Sequence, residues 1–428
     1  MKADKPASPK ALSPAEEKSA AVVIPEKPLL DRFLRYVKID TTSDSHIAET
    51  PSTPGQWDLL RLLEKELKDL SIKDITLDKK GFLIARLPGN AKAPVIGFMA
   101  HVDTSGETSG RGVNPQVIRD YQGKPLVFEG GFRLDPREFP QLLDFKGQTI
   151  ITTDGTTLLG ADDKAGAAEI MSAAAYLLEH PEIKRGDVEL IFTPDEETGK
   201  GMDSFPLKSL RSQYCYTLDG GAEGEIEAEC FNAYGVKIRF TGRPFHLGAA
   251  RGRMVNAVTM AGTFISLLPG RESPEATDER QGYYCPLEVK GTVEEAELMV
   301  FLRDFDSPGM ARRIAALKKT AEAVQALFSG GRVEALPQKQ YLNMIKVINQ
   351  NPKGLRFLER AVHLAGAQPC RRLIRGGTDG ARLSEMGIPT PNIWTGGYNF
   401  HSRYEWAALP SMLKAAAVVV HLVRLWAE

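Results

Sequence analysis

A chain of 428 residues exceeds what one hydrophobic core normally serves, roughly 250 to 300 residues, so two or three domains are expected. Lys plus Arg, 54, nearly cancels Asp plus Glu, 55, and the formal net charge of −1 gives the surface no pull toward nucleic acid or anionic lipid. The four cysteines, Cys215, Cys230, Cys285 and Cys370, form no CxxC pair, which argues against a thiolate zinc site or a disulfide framework and for a reducing compartment.

Residues 1–28 are rich in Ala, Pro and Lys, and their apolar stretch, residues 20–25, is too short for a signal-peptide core, so a mobile extension is expected there. No later segment approaches the ~18 uncharged apolar residues of a membrane helix, and a soluble, cytoplasmic protein is expected. From Leu29, helices and strands alternate. "LLDRFLRYVKI" reads as an amphipathic helix, "PVIGFMA" as a buried strand, "AGAAEIMSAAAYLLEH" as a helix of about four turns, and "DVELIFT" as another buried strand. Continuous apolar strands between helices predict an α/β sheet covered on both faces. After Gly224 the strands lengthen and partly alternate, in "EIEAECFNAYGVKIRFTG" and "YYCPLEVKGTVEEAELMVFLRDF", around the helical "VNAVTMAGTFISLL". That texture predicts an α+β module with one solvated sheet face. The first texture resumes near residue 344. The expected organisation is an α/β/α catalytic domain over 29–230 and 344–428, with an α+β lid inserted at 231–343.

Acids and histidines close several of the apolar runs. In "GFMAHVDTS", His101 and Asp103 stand at i and i+2, so both project from one face of a continuing strand. A carboxylate beside a histidine fixes the tautomer of a metal-bound imidazole, although a solvated His and a turn Asp would read the same way. "LLGADDKAGAAEIM" sets Asp162 and Asp163 directly before a helix, where one acid suffices as a cap and the other is free for a cation. "TPDEETGKG" ends a strand on three adjacent carboxylates, Asp195, Glu196 and Glu197. Their repulsion is offset most directly by a divalent cation, the alternative being a solvated acidic turn. "YCYTLDGG" ends on Asp219, and "NIWTGGYNFHSRYEW" places His401 after a Gly-Gly turn. Open α/β sheets bind ligands at the carboxyl ends of their strands, where these stations would meet. Oxygen and imidazole donors without thiolates suit Zn2+, with Mn2+ or Co2+ as substitutes, and zinc is the default for a hydrolytic site.

Together, HVDTS, LLGADDKAG, PDEE, LDGG and GGYNFHSRYEW resemble the two-zinc aminoacylase and peptidase clan. The stretches "GQTIITTDGTTLLGADDKAGAAEIM", "MVNA", "RDFD", "YLNM" and "RGGTDGARLS" resemble its peptidase T family of bacterial aminotripeptidases, from about residue 29 onward. The resemblance implies two zinc ions per subunit, one held by His101 and Asp219, the second by Glu197 and His401, with Asp162 bridging them. It further implies Glu196 as general base and Asp103 as the residue that orients His101. Asp195 is left to hydrogen bonding within its loop. In the lid, His246 matches a histidine that contacts the scissile carbonyl and Asn256 a substrate-facing position, although Leu247 stands where compared relatives carry proline. Arg375 is the expected partner of the substrate's terminal carboxylate, because a guanidinium fork matches a carboxylate in two parallel hydrogen bonds. His46, His180, His363 and His421 match no motif and are expected on the surface or in packing. The expected function is metal-dependent removal of the N-terminal residue from tripeptides. A dipeptidase or N-acyl amino acid deacylase of the same clan, and a non-catalytic metal- or peptide-binding relative, are the alternatives. The expected partners are a small peptide substrate and a second copy of the chain through the lid's exposed strands, with no nucleic acid and no membrane.

Overall fold

The computed structural model describes residues 22–428. Of the extension expected over 1–28, residues 1–21 lie outside that range, and the end of it is already helical. A helix spans Glu26–Tyr36 and buries Leu29, Leu30, Phe33 and Tyr36 along one side. Pro25 at its N-cap and Pro28 in its first turn sit where a missing N–H costs nothing, so prolines that read as linker open a helix.

The chain forms two compact units. The first runs to Ala228 and resumes over Val347–Arg372 and Thr378–Glu428; the second is Glu229–Lys346 together with Leu373–Gly377. The short segment Leu373–Gly377, expected in the catalytic domain, goes with the second unit. The reason is Arg375, whose guanidinium is bonded to main-chain carbonyls of Thr277, Glu279 and Gln281.

The first unit is built on an eight-stranded mixed sheet. Its strands are β1 (Asp74–Leu77), β2 (Leu83–Leu87), β3 (Ile96–His101), β4 (Val188–Thr193), β5 (Tyr214–Gly220), β6 (Glu225–Cys230), β7 (Cys370–Ile374) and β8 (Asn392–Trp394), in the order β1-β2-β4-β3-β5-β8-β6-β7. At the centre, β3 runs parallel to β4 and β5, and β8 parallel to β5. Antiparallel pairs β1–β2, β2–β4 and β6–β8 flank them. Every residue of β3 and β4 is buried, as strands covered on both faces must be. On one side Met99, Ile191 and Cys215 pack with Met202, Phe205 and Leu383. The helix Ala161–Glu179 lies on β3 and β5, with Leu409–Trp426 and Glu26–Tyr36 packed against it. Its alanines permit a close approach, and at Gly166 a Cβ would fall 2.1 Å from the Leu218 carbonyl oxygen. By length and composition the helix Leu409–Trp426 could cross a membrane, but 78% of it is buried inside the fold, as befits a core helix.

The second unit is a four-stranded antiparallel sheet ordered Tyr283–Gly291, Glu295–Asp304, Asn232–Thr241, Arg332–Tyr341. Alternation sends Val236, Ile238, Phe240, Leu298, Val300 and Leu302 to a core shared with Met260, Phe264, Leu317 and Val324 of two helices. The intervening residues face water, where Arg239 pairs with Glu297 across the strands at 3.0 Å.

Candidate metal centre

The parallel strands deliver side chains to one end of the sheet. His101 is the last residue of β3, Asp219 is near the end of β5, and Glu196 and Glu197 follow β4 after a turn at Asp195, whose φ is 57°. His401 lies on the loop beyond β8 with a φ of 61°, and Asp162 sits in the first turn of the helix Ala161–Glu179. His101 Nε2 is 2.9 Å from Asp162 Oδ1 and 3.6 Å from Asp219 Oδ1. His401 Nε2 is 3.1 Å from Asp162 Oδ2 and 3.0 Å from Glu197 Oε1. Asp162 thus turns one oxygen toward each imidazole. Ligand-capable atoms of His101, Asp162 and Glu197 lie within 4.8 Å of one another, as do those of His101, Asp163 and Asp219.

This concentration of charge shifts every member. Burial pushes Glu197 up to about 7 and Asp219 up to about 6, with neighbouring carboxylates adding to it. Burial likewise raises Glu196 well above the ordinary carboxylate range. Hydrogen bonds to the Asp162 and Glu197 carboxylates push His401 up to about 11. Burial alone would lower His101, but Asp103, Asp162 and Asp219 raise it well above its usual value. Apart from Asp162, which its two histidines lower, the donor set holds its protons tightly and is short of positive charge. Its mixture of carboxylate and imidazole with no thiolate fits divalent cations of the zinc, manganese or cobalt type.

Around these groups lies a shell of hydrogen bonds. The Asp103 carboxylate accepts the N–H groups of Glu196 at 3.0 Å and Glu197 at 3.1 Å, while its Oδ1 lies 3.3 Å from His101 Nδ1. Besides facing His101, Asp103 therefore holds the backbone that carries both glutamates. Asp195 points away, accepting from the Ser52 N–H at 2.8 Å, the Ser52 hydroxyl at 2.5 Å and the Gln56 amide at 2.7 Å. Asp163, joined to Asp162 by a cis peptide bond, is buried and accepts the His101 N–H at 3.1 Å. Lys164 is also buried, donating to the Ile39 carbonyl at 2.7 Å, and burial lowers its ammonium to about 8. Asp379 accepts the Thr193 hydroxyl at 2.5 Å, and burial pushes it up to about 7. Glu405 accepts main-chain N–H groups from four consecutive residues, Leu159 to Asp162. Of this shell, Lys164, Asp379 and Glu405 fall inside stretches that carry the family resemblance, but neither they nor Ser52 and Gln56 stand in a local pattern that marks them as buried. A cavity of about 710 Å³ opens beside the cluster, lined by Thr42, Ser43, His46, Ser105 and Glu107 and reaching Glu197 and His401.

Residues 152–425 match the profile of Peptidase family M20/M25/M40. The chain belongs to this family. Peptidase T of Geobacillus thermodenitrificans is 46% identical to it over 94% of this chain and 98% of that one. Peptidase T of Clostridium perfringens is 44% identical over 94% of this chain and 100% of that one. Among solved structures, the aminopeptidase PepT from Bacillus cereus shares the fold with a TM-score of 0.74 at 24% identity, covering 95% of this chain and 100% of that chain. A dinuclear metal binding peptidase of the M20 family from Bacillus subtilis shares it with a TM-score of 0.65 at 16% identity, covering 93% and 97%.

In this M20 peptidase the remaining expected residues lie in the second unit. His246 is exposed, between the exposed Phe245 and Leu247, and the Arg253 guanidinium stands over the Phe245 ring at 5.2 Å. Asn256 has a structural task that its sequence context did not reveal: it caps the helix Ala257–Ser266, accepting the N–H groups of Val258 at 2.9 Å and Thr259 at 3.3 Å. Both terminal nitrogens of Arg375 are occupied by oxygens of Thr277, Glu279 and Gln281, and its guanidinium lies over the rings of Phe231 and Tyr283. Pairing with a substrate carboxylate therefore requires exchange of those bonds. Of the unmatched histidines, His421 is buried in the helix Leu409–Trp426, where burial holds its pKa down to about 4.

Proposed function

We propose that the protein is a metal-dependent aminotripeptidase that hydrolyses the first peptide bond of tripeptides with two zinc ions per subunit. The observation that best supports it is Asp162, whose two oxygens lie 2.9 Å from His101 Nε2 and 3.1 Å from His401 Nε2, with Asp219 on one side and Glu197 on the other. On this reading His101 and Asp219 hold one ion, Glu197 and His401 the other, and Asp162 both. When bound, the ions supply Lewis acidity to the scissile carbonyl and lower the pKa of a water molecule toward 7.

The chain's own residues handle orientation and protons. The Glu196 carboxylate accepts a proton from the attacking water and returns it to the leaving amine nitrogen. Its burial, which raises its pKa well above the usual range, suits a group that must retain that proton between the two transfers. Asp103 holds the Glu196 and Glu197 backbones and keeps the His101 ring oriented. The family resemblance would give His246 the donor to the developing oxyanion, Asn256 a place facing the peptide and Arg375 its terminal carboxylate, the last after exchange of its bonds to Thr277, Glu279 and Gln281. A substrate read at both ends is gauged for length, in keeping with relatives named Peptidase T at 44% and 46% identity. Leu287 and Val289, exposed on the edge strand Tyr283–Gly291, suit pairing with a second copy.

The test compares hydrolysis of matched di-, tri- and tetrapeptides and an N-acetylated tripeptide by zinc-loaded enzyme, with and without chelator. Selective, chelator-sensitive cleavage of the free tripeptide is expected. Preference for the acetylated or dipeptide substrate would move the protein to a deacylase or dipeptidase, and activity indifferent to chelation would end the two-metal reading.

A further inference from the structure

The structure assigns to Glu405 the role of a positioning residue that sets the spacing of the two metal-ligating loops, a role that rests on the two-cation reading above. Glu405 is 1% exposed. Its Oε2 accepts the N–H groups of Leu159 at 2.7 Å and Gly160 at 2.9 Å, and its Oε1 those of Ala161 at 2.7 Å and Asp162 at 3.3 Å. Gly160 has φ 79° and ψ 30°, the left-handed conformation, which turns successive N–H groups toward one side. The result is a concave backbone nest whose natural guest is an anion, and the guest is a carboxylate from elsewhere in the chain.

The nest lies just ahead of the regular part of the helix Ala161–Glu179, because Asp162 and Asp163 have non-helical φ and ψ. Neither Asp162 nor Asp163 caps the helix with its side chain; the N–H of Asp162 is instead held by Glu405, 243 residues beyond it. Its own end is equally firm. The Glu405 N–H donates to the Ser402 carbonyl at 3.2 Å, one residue beyond His401. The next residue, Trp406, pairs with Thr152 in a short sheet and stacks on Tyr398 with ring centroids 4.1 Å apart. One buried carboxylate thus ties the backbone of Asp162 to the loop of His401. The 3.1 Å spacing of Asp162 Oδ2 from His401 Nε2 depends on that tie, because neither side chain is long enough to compensate for a shift of its backbone.

Glu405→Gln keeps the shape but turns an NH2 group toward two of the four N–H donors. Zinc titration of the metal-free protein should then show the dissociation constants weakened by about 10- to 100-fold, the usual consequence of losing an outer partner of a metal ligand. Saturating zinc should restore most of kcat. Glu189→Gln is the control, since Glu189 is fully buried near the other end of β4 and accepts from Ser212 N at 2.8 Å, Arg211 N at 3.0 Å and Arg86 Nε at 2.8 Å. It should lower the melting temperature and leave zinc affinity at the wild-type value. Wild-type zinc affinity in Glu405→Gln overturns the assignment, as does an equal loss of affinity in both variants. Should Glu405→Gln show no cooperative unfolding, Glu405→Asp, which keeps the charge one methylene short, is titrated instead, and unchanged affinity there overturns it equally. Fewer than two zinc ions bound by the wild-type protein would refute the two-cation reading, while the comparison of variants still stands for the ion that binds.

Discussion

Replacing Asp103 with asparagine asks how far the paired glutamates depend on the backbone beneath them. Asp103 is fully buried, and its oxygens accept the N–H groups of Glu196 at 3.0 Å and Glu197 at 3.1 Å while Oδ1 lies 3.3 Å from His101 Nδ1. Asparagine has the same size but one acceptor oxygen, so one N–H faces an amide NH2 instead. A buried N–H without an acceptor costs about 1 to 3 kcal/mol. If the Glu196–Glu197 turn shifts to relieve that cost, Glu196 leaves its working position. At about 1.4 kcal/mol per tenfold in rate, kcat/KM for trialanine then falls by roughly 5- to 150-fold. If the turn stays in place, the same energy appears as a lower melting temperature of the metal-free protein. Both are measured on the same preparation, kcat/KM at saturating zinc and thermal unfolding without metal. An Asp103→Asn enzyme unchanged in both would refute the reasoning.

The adjacent glutamates should separate cleanly. Glu196→Ala is expected to retain two metals per chain while losing about 10²- to 10⁴-fold in turnover, and Glu197→Ala to lose metal occupancy; equal metal content in the two purified variants would contradict the assignment. Protonation should also govern the metal-free fold. Folded-state values near 7 for Glu197 and Asp379 and near 6 for Asp219 exceed the ordinary carboxylate value of about 4, and His401 is raised to about 11. A folded state that binds protons more tightly than the unfolded chain is stabilised at low pH and loses that stability as pH rises through these values. Asp162, lowered by its two histidines, acts in the opposite sense only below about pH 4. His421, held down to about 4, opposes the trend between about pH 4 and 6.5, but as one group against Glu197, Asp379, Asp219 and His401. The metal-free protein should therefore melt at a lower temperature at pH 8 than at pH 5, and the gain from added zinc should be larger at pH 8. Calorimetry showing a flat or rising melting temperature between those pH values would reject this account.

Much of the scaffold is legible residue by residue, because its signals are local. The apolar runs that become β3, β4 and β5 mark themselves, and a His, Glu or Asp that follows such a run arrives at the strand's carboxyl end wherever the sheet is assembled. The parallel pairing follows from helices alternating with strands, and the second unit's solvated face follows from period-two alternation through Lys237 and Arg239. Signals that depend on a distant partner are silent. Pro25 and Pro28 look like linker until Leu29 and Phe33 have a core to enter. Leu373–Gly377 belongs to the second unit because Arg375 reaches carbonyls 94 to 98 residues earlier. Asp379 and Glu405 lie in stretches that mark the family, but nothing local names their partners: one accepts from Thr193, 186 residues away, and the other from Ala161, 244 residues away. By itself, then, the sequence determined which side chains stand at the strand ends and the chemistry they can offer. Which acids face one another there, and which hold the backbone beneath them, was decided only by the tertiary structure, because a hydrogen bond across hundreds of residues is chosen by the packing of the whole chain and leaves no periodic trace in either partner's neighbourhood.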